Sequence, residues 1–208
     1  MPVVPQTRDL GVTVCANLSP TVHVCDVVAK AHKRANLILR TFESKDISLL
    51  VRAYLVYVRP IVEYNSIVWS PYSVKDIQAI ERVQRRFTKR LPALRQCSYQ
   101  ERLCRLQLHS LELRRLLIDL VWCYKILFGH VHLESEEFFQ LNMRPSARGH
   151  KYKLCKKFCA SSVRAAFFSE RIVNVWNSLP RSVDFSTLSS FRRSIQTVDF
   201  AEFLRCSS

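Results

Sequence analysis

Glycine is nearly missing from this chain: Gly11, Gly129 and Gly149 are the three among 208 residues, where ordinary usage of about 7% would give about fifteen. The two-residue hairpins of a many-stranded sandwich or barrel lean on glycine, so an all-β fold is excluded. The glycine-rich loops that cradle dinucleotides and nucleoside triphosphates cannot be written either. No apolar run approaches the ~20 residues that span a bilayer, and no membrane association is expected. Met1–Gln6 has neither the charged nor the apolar stretch of a secretory signal. The chain therefore reads as intracellular, nuclear or cytoplasmic, and not secreted. Acid is also scarce, with 17 Asp and Glu against 32 Lys and Arg and a net charge of +15. No two aspartates are adjacent anywhere.

What is present suffices for a core. Hydrophobic residues make up 48% and aromatic residues 11%, a globular rather than a disordered composition. The eight cysteines, without a secretory context, read as reduced thiols rather than a disulfide framework.

Along the chain the apolar spacing is helical almost throughout. Residues 7–16 alternate briefly and predict one short strand whose partner lies outside the chain. From Pro20, Val24, Val28, Ala31, Ala35, Ile38 and Phe42 recur every three or four residues, and Ile47 to Val58 form a second stripe broken at Pro60. Ser73-Val74-Lys75-Asp76 and Ser98-Tyr99-Gln100-Glu101 both have capping-box spacing and predict helix starts. The helix after Ser73 has an apolar side (Ile77, Ile80, Val83, Phe87, Leu91) and a basic one (Arg82, Arg85, Arg86, Lys89). A long stripe from Leu113 to Phe128 ends at Gly129, a candidate left-handed cap. Residues 130–147 lose the period and predict a linker. Arg144 to Arg171 then carries eight basic residues against Glu170 alone, with Tyr152, Leu154 and Phe158 alternating in a strand-like way. Helices are predicted up to Pro180 and after Ser186.

The order of these segments resembles the C-terminal part of LINE-type (non-LTR) retrotransposon reverse transcriptases, of the chicken-repeat-like or jockey-like kind. The residues that carry the resemblance are Leu10-Gly11-Val12, Ser44-Lys45-Asp46, Arg59 to Tyr64, Val68 to Tyr72, Ile80 to Lys89, Leu111 to Arg115, Tyr124 to Leu127, Arg148-Gly149-His150 and Trp176 to Pro180. It runs from about residue 7 to 200. It implies a mostly α protein: residues 1–18 as the end of a palm-like strand, 19–129 as a helical thumb-like bundle, 130–147 as a linker, and 148–208 as a smaller basic α(+β) subdomain. The polymerase family holds two metal ions on palm aspartates, and a two-metal mechanism needs such carboxylates. None is recognisable here, so the expectation is a truncated, non-catalytic piece, with no cofactor, whose frame starts at a chance methionine. Its implied partners are the template–primer duplex of RNA and DNA, gripped by its phosphates, and the missing palm.

The candidate phosphate contacts are Arg82, Arg85, Arg86, Lys89 and Arg90 on one helix and Arg148, Lys151, Lys153, Lys156 and Lys157 further on. For the first group the alternative is a solvated helix face, and for the second a flexible basic linker. Tyr152 and Phe158 add possible stacking platforms; Trp69 and Trp176 read as core residues before they read as such platforms. Some retrotransposon polymerases carry a zinc knuckle, but Cys155 and Cys159 with His150 lack a second ligand pair at metal spacing, so no metal site is expected. A helical protein-interaction module and a functionless transposon relic are the other readings.

Overall fold

The computed structural model describes residues 4–142 and 149–206. The protein is mostly helical with a short N-terminal hairpin. In chain order the elements are β1 (Gln6–Asp9), β2 (Val12–Cys15), α1 (Thr21–Thr41), α2 (Ile47–Tyr57), α3 (Arg59–Glu63), α4 (Ser66–Trp69) and α5 (Val74–Lys89), then α6 (Tyr99–Leu106), α7 (Leu111–Leu127), α8 (Ser135–Phe138), α9 (Ser162–Ala165), α10 (Phe168–Ser178) and α11 (Leu188–Ser194). No helix among the described residues is long and apolar enough to cross a membrane.

The strand expected to lack a partner has one within reach. β1 and β2 pair antiparallel with Asp9 opposite Val12, and Leu10 and Gly11 take φ of 43° and 83°. Positive φ at both central residues is the geometry of a tight hairpin turn, which glycine permits at little cost. The alternation of residues 7–16 is thus two short strands folded at Gly11, not one. A two-stranded ribbon is marginal by itself; this one is anchored by Val12, 4% exposed in the core, and by the Thr13 N–H donating to His23 Nδ1 at 3.2 Å.

The described residues group into two compact units, one within Met1–Arg114 together with Arg205–Ser208 and one within Arg115–Leu204. The chain passes from one to the other inside α7, whereas residues 130–142, read from the sequence as part of a linker, belong wholly to the second. The missing period there reflects short elements rather than a lack of packing. Phe139 is buried and meets the Phe168 ring edge-on at 5.7 Å, and Leu141 bridges to Leu154.

In the first unit α1 packs on α2, α3 and α5. Val24, Ala31, Tyr54, Val58, Ile80, Val83 and Leu111 lie in its core; full burial of a side chain the size of Ile80 contributes about 2–3 kcal/mol. Tyr54 stacks on Phe87 with centroids 4.7 Å apart. Helix α3 takes Pro60 in its first turn, where no helical N–H is lost. In the second unit the core is aromatic, with Trp176 and Phe191 fully buried and Tyr124 stacked on Phe191 at 4.6 Å. Trp69 and Trp176 are both core residues, each with its indole N–H bonded to a backbone carbonyl.

Candidate nucleic-acid interface

Helix α5 begins where the sequence predicts it, but not by the predicted cap. Ser73 makes no side-chain capping bond, and Asp76 instead accepts from Thr21 Oγ1 of α1 at 2.8 Å. One helical end further on, Arg90 Nη1 donates to Asn36 Oδ1 of α1 at 2.7 Å. The two bonds make α1 and α5 parallel neighbours in a fixed register, with Thr21 beside Asp76 and Asn36 beside Arg90.

That register builds a basic surface on two helices rather than one. On α5, Arg82, Arg86, Lys89 and Arg90 are exposed and fall within about 100° of arc. On α1, His32, Lys33, Asn36 and Arg40 fall within a similar arc, with Lys33 and Arg40 exposed and His32 half-buried. No Asp or Glu shares either arc. The imidazole of His32 is held below its usual pKa by burial and by the guanidinium groups of Arg86 and Arg82. The α1 half was legible only as a polar face with 3–4 spacing; nothing in the sequence states which helix lies beside it.

Arg85 belongs elsewhere. Its guanidinium lies over the Tyr99 ring, 4.8 Å from the centroid, and that of the buried Arg102 lies over the same ring at 5.5 Å. Tyr99 donates its hydroxyl to Glu81, and Glu81, 2% exposed, also accepts from the backbone N–H groups of Leu111 and Glu112 at 3.1 Å each. A carboxylate at the start of α7 is favoured by the unpaired N–H groups and the helix dipole. Arg102 donates to Thr88 Oγ1 and to the Cys97 carbonyl. Arg85 therefore sits at the edge of an internal polar network that ties α5, α6 and the start of α7, set apart from the exposed arc of its neighbours.

The second basic cluster is also divided. Arg148 lies outside the described residues. Lys151, Lys156 and Lys157 are exposed, whereas Lys153 is half-buried and donates to the Asn177 carbonyl near the end of α10, where a cation complements the helix dipole. Burial lowers its ammonium pKa. A Cβ on Gly149 would come within 2.6 Å of the Lys153 Nζ, so the glycine at φ of 82° keeps room for that contact. Lys153, a candidate phosphate contact in the sequence, is thus engaged within the fold. The aromatics diverge too: Tyr152 packs against Phe128 and Phe185, while Phe158 is 94% exposed.

His150 has both ring nitrogens engaged. Nε2 meets the Trp176 carbonyl at 2.8 Å, so it carries the proton, and Nδ1 accepts from the Tyr152 N–H at 3.2 Å. The Trp176 indole N–H donates to the Tyr152 carbonyl, and the Asn177 amide exchanges two hydrogen bonds with the Leu154 backbone. The segments His150 to Leu154 and Trp176-Asn177 thus latch onto each other. With its nitrogens spent in this way, His150 is not available to a metal, and no group of three His, Cys, Asp or Glu suited to a metal gathers among the described residues.

No family profile matches the chain, and no solved structure matches it. It is similar to an uncharacterized protein of Caenorhabditis elegans, B0403.1, at 28% identity over 132 residues, which is 61% of this chain and 66% of that protein. The match thus spans just under two thirds of that relative's length.

Proposed function

We propose that this chain corresponds to the thumb and following segment of a LINE-type reverse transcriptase and grips the sugar–phosphate backbone of a template–primer duplex without reading its sequence. The observation that carries this reading is the acid-free basic arc shared by α1 and α5. A rigid surface of that kind, with guanidinium groups one helical turn apart, suits successive phosphates, whose neutralisation releases counterions. The ordered motifs of the sequence support it. The chain would bind and not polymerise, because it offers no paired aspartates for the two metal ions such chemistry needs.

Salt dependence tests the proposal. Binding to a short RNA–DNA duplex should weaken steeply from low to moderate ionic strength, and the double variant Arg82→Ala/Arg86→Ala should lower the log–log slope by about 2. Arg85→Ala should leave that slope unchanged and destabilise the fold by about 1 kcal/mol through loss of its contact with Tyr99. Absence of binding at low salt overturns the proposal. Salt-insensitive binding of a protein partner would indicate the interaction-module reading instead.

A further inference from the structure

The register of α1 against α5 singles out one histidine. One turn before Asn36 on α1 is His32, and one and two turns before Arg90 on α5 are Arg86 and Arg82. Because Asn36 and Arg90 are bonded at 2.7 Å and the helices run parallel, His32 is opposite these two arginines at the margin of the seam, half-buried but open to solvent on one side. We propose that His32, Arg82 and Arg86 form a discrete phosphodiester site in this seam, and that His32 takes up a proton from solvent when the phosphate binds. This rests on the backbone-binding reading above and adds to it a defined site and a dependence on pH.

The physical argument concerns charge balance. Burial, and the guanidinium groups of Arg86 and Arg82, favour the neutral imidazole. Of the other elements packed on α1, which include β2, α2, α3 and, through Trp69 against His23, α4, none supplies a charge that shifts this ring among the described residues. A phosphodiester seated between the arginines offsets their field and presents an acceptor, and a protonated imidazole has N–H donors on both nitrogens to meet it. Phosphate and proton then bind cooperatively, each strengthening the other by the same factor. For every unit by which the His32 pKa rises in the complex, affinity gains up to about tenfold on acidification through that range.

The experiment is an NMR titration of the imidazole resonances of the full chain, with and without a saturating short RNA–DNA duplex, alongside affinity measured at about pH 8 and about pH 5.5 at constant ionic strength. His32→Gln identifies the resonance and removes the proton site. The expected result is that the His32 titration moves to higher pH in the complex, and that the gain in affinity on acidification falls several-fold in His32→Gln. If the wild-type chain binds duplex but the His32 titration does not move, the phosphate site is overturned while the backbone-binding reading stands. If it binds no duplex at either pH, the underlying reading fails. The titration uses the wild-type protein, so misfolding of the variant does not remove the test.

Discussion

At the scale of single residues, the charged side chains of α5 divide by what they touch. Arg82, Arg86, Lys89 and Arg90 face solvent, while Glu81 is enclosed and satisfied by a hydroxyl and two backbone N–H groups. Helical periodicity distinguishes these sides in outline, yet it put Arg85 with the exposed set because Tyr99, whose ring its guanidinium covers, comes from a different helix. Glu81 was not singled out by sequence at all, since a lone carboxylate among arginines looks like an ordinary surface charge. Its role is testable. Glu81→Gln keeps the shape but replaces a charge-assisted acceptor by an amide whose NH2 faces donors, and it should cost about 2–3 kcal/mol. Urea unfolding measures this, and a change below about 0.5 kcal/mol would show that the network does not depend on the charge.

At the scale of elements, two serines with the same motif differ in use. Ser98 and Glu101 form a reciprocal capping box at α6, with the Ser98 N–H bonded to Glu101 at 2.7 Å. Ser73, with the same spacing to Asp76, forms none because Asp76 is taken by Thr21. Ser98→Ala should therefore destabilise the protein by about 1 kcal/mol, and Ser73→Ala by far less; equal losses in thermal or urea unfolding would contradict the distinction. The turn at Leu10-Gly11 is a similar case. Its glycine was visible, but the hairpin was not, because one residue pair of alternation on each side is too short a signal. The end of α7 was fully legible: Gly129 takes φ of 67°, and the His130 N–H reaches back to the Lys125 carbonyl at 2.8 Å, the closure expected of a left-handed glycine cap.

At the scale of the whole molecule, stability should depend on pH through histidines in both units. Burial lowers the pKa of His23 in the first unit and of His150 in the second. The folded state thus binds these protons less readily than the unfolded chain. Their contribution is full above the ordinary histidine pKa and is lost as pH falls from about 6.5 through the depressed folded values, with a limiting slope of about 1.4 kcal/mol per pH unit for each histidine. Unfolding midpoints should fall between about pH 7.5 and pH 5.5; a flat profile would mean that these rings are as solvated in the folded protein as outside it.

The sequence by itself determined the helical class, most helix starts and stops, the exclusion of glycine-loop chemistry and the excess of positive charge, because each follows from local spacing, capping and composition. Tertiary structure alone decided which charges are exposed. It placed α1 beside α5, so that His32 and Asn36 met the arginines; it withdrew Arg85 and Lys153 into the fold; and it assigned residues 130–142 to the second unit. Those outcomes depend on which residues distant in sequence become neighbours, a matter that no local period records.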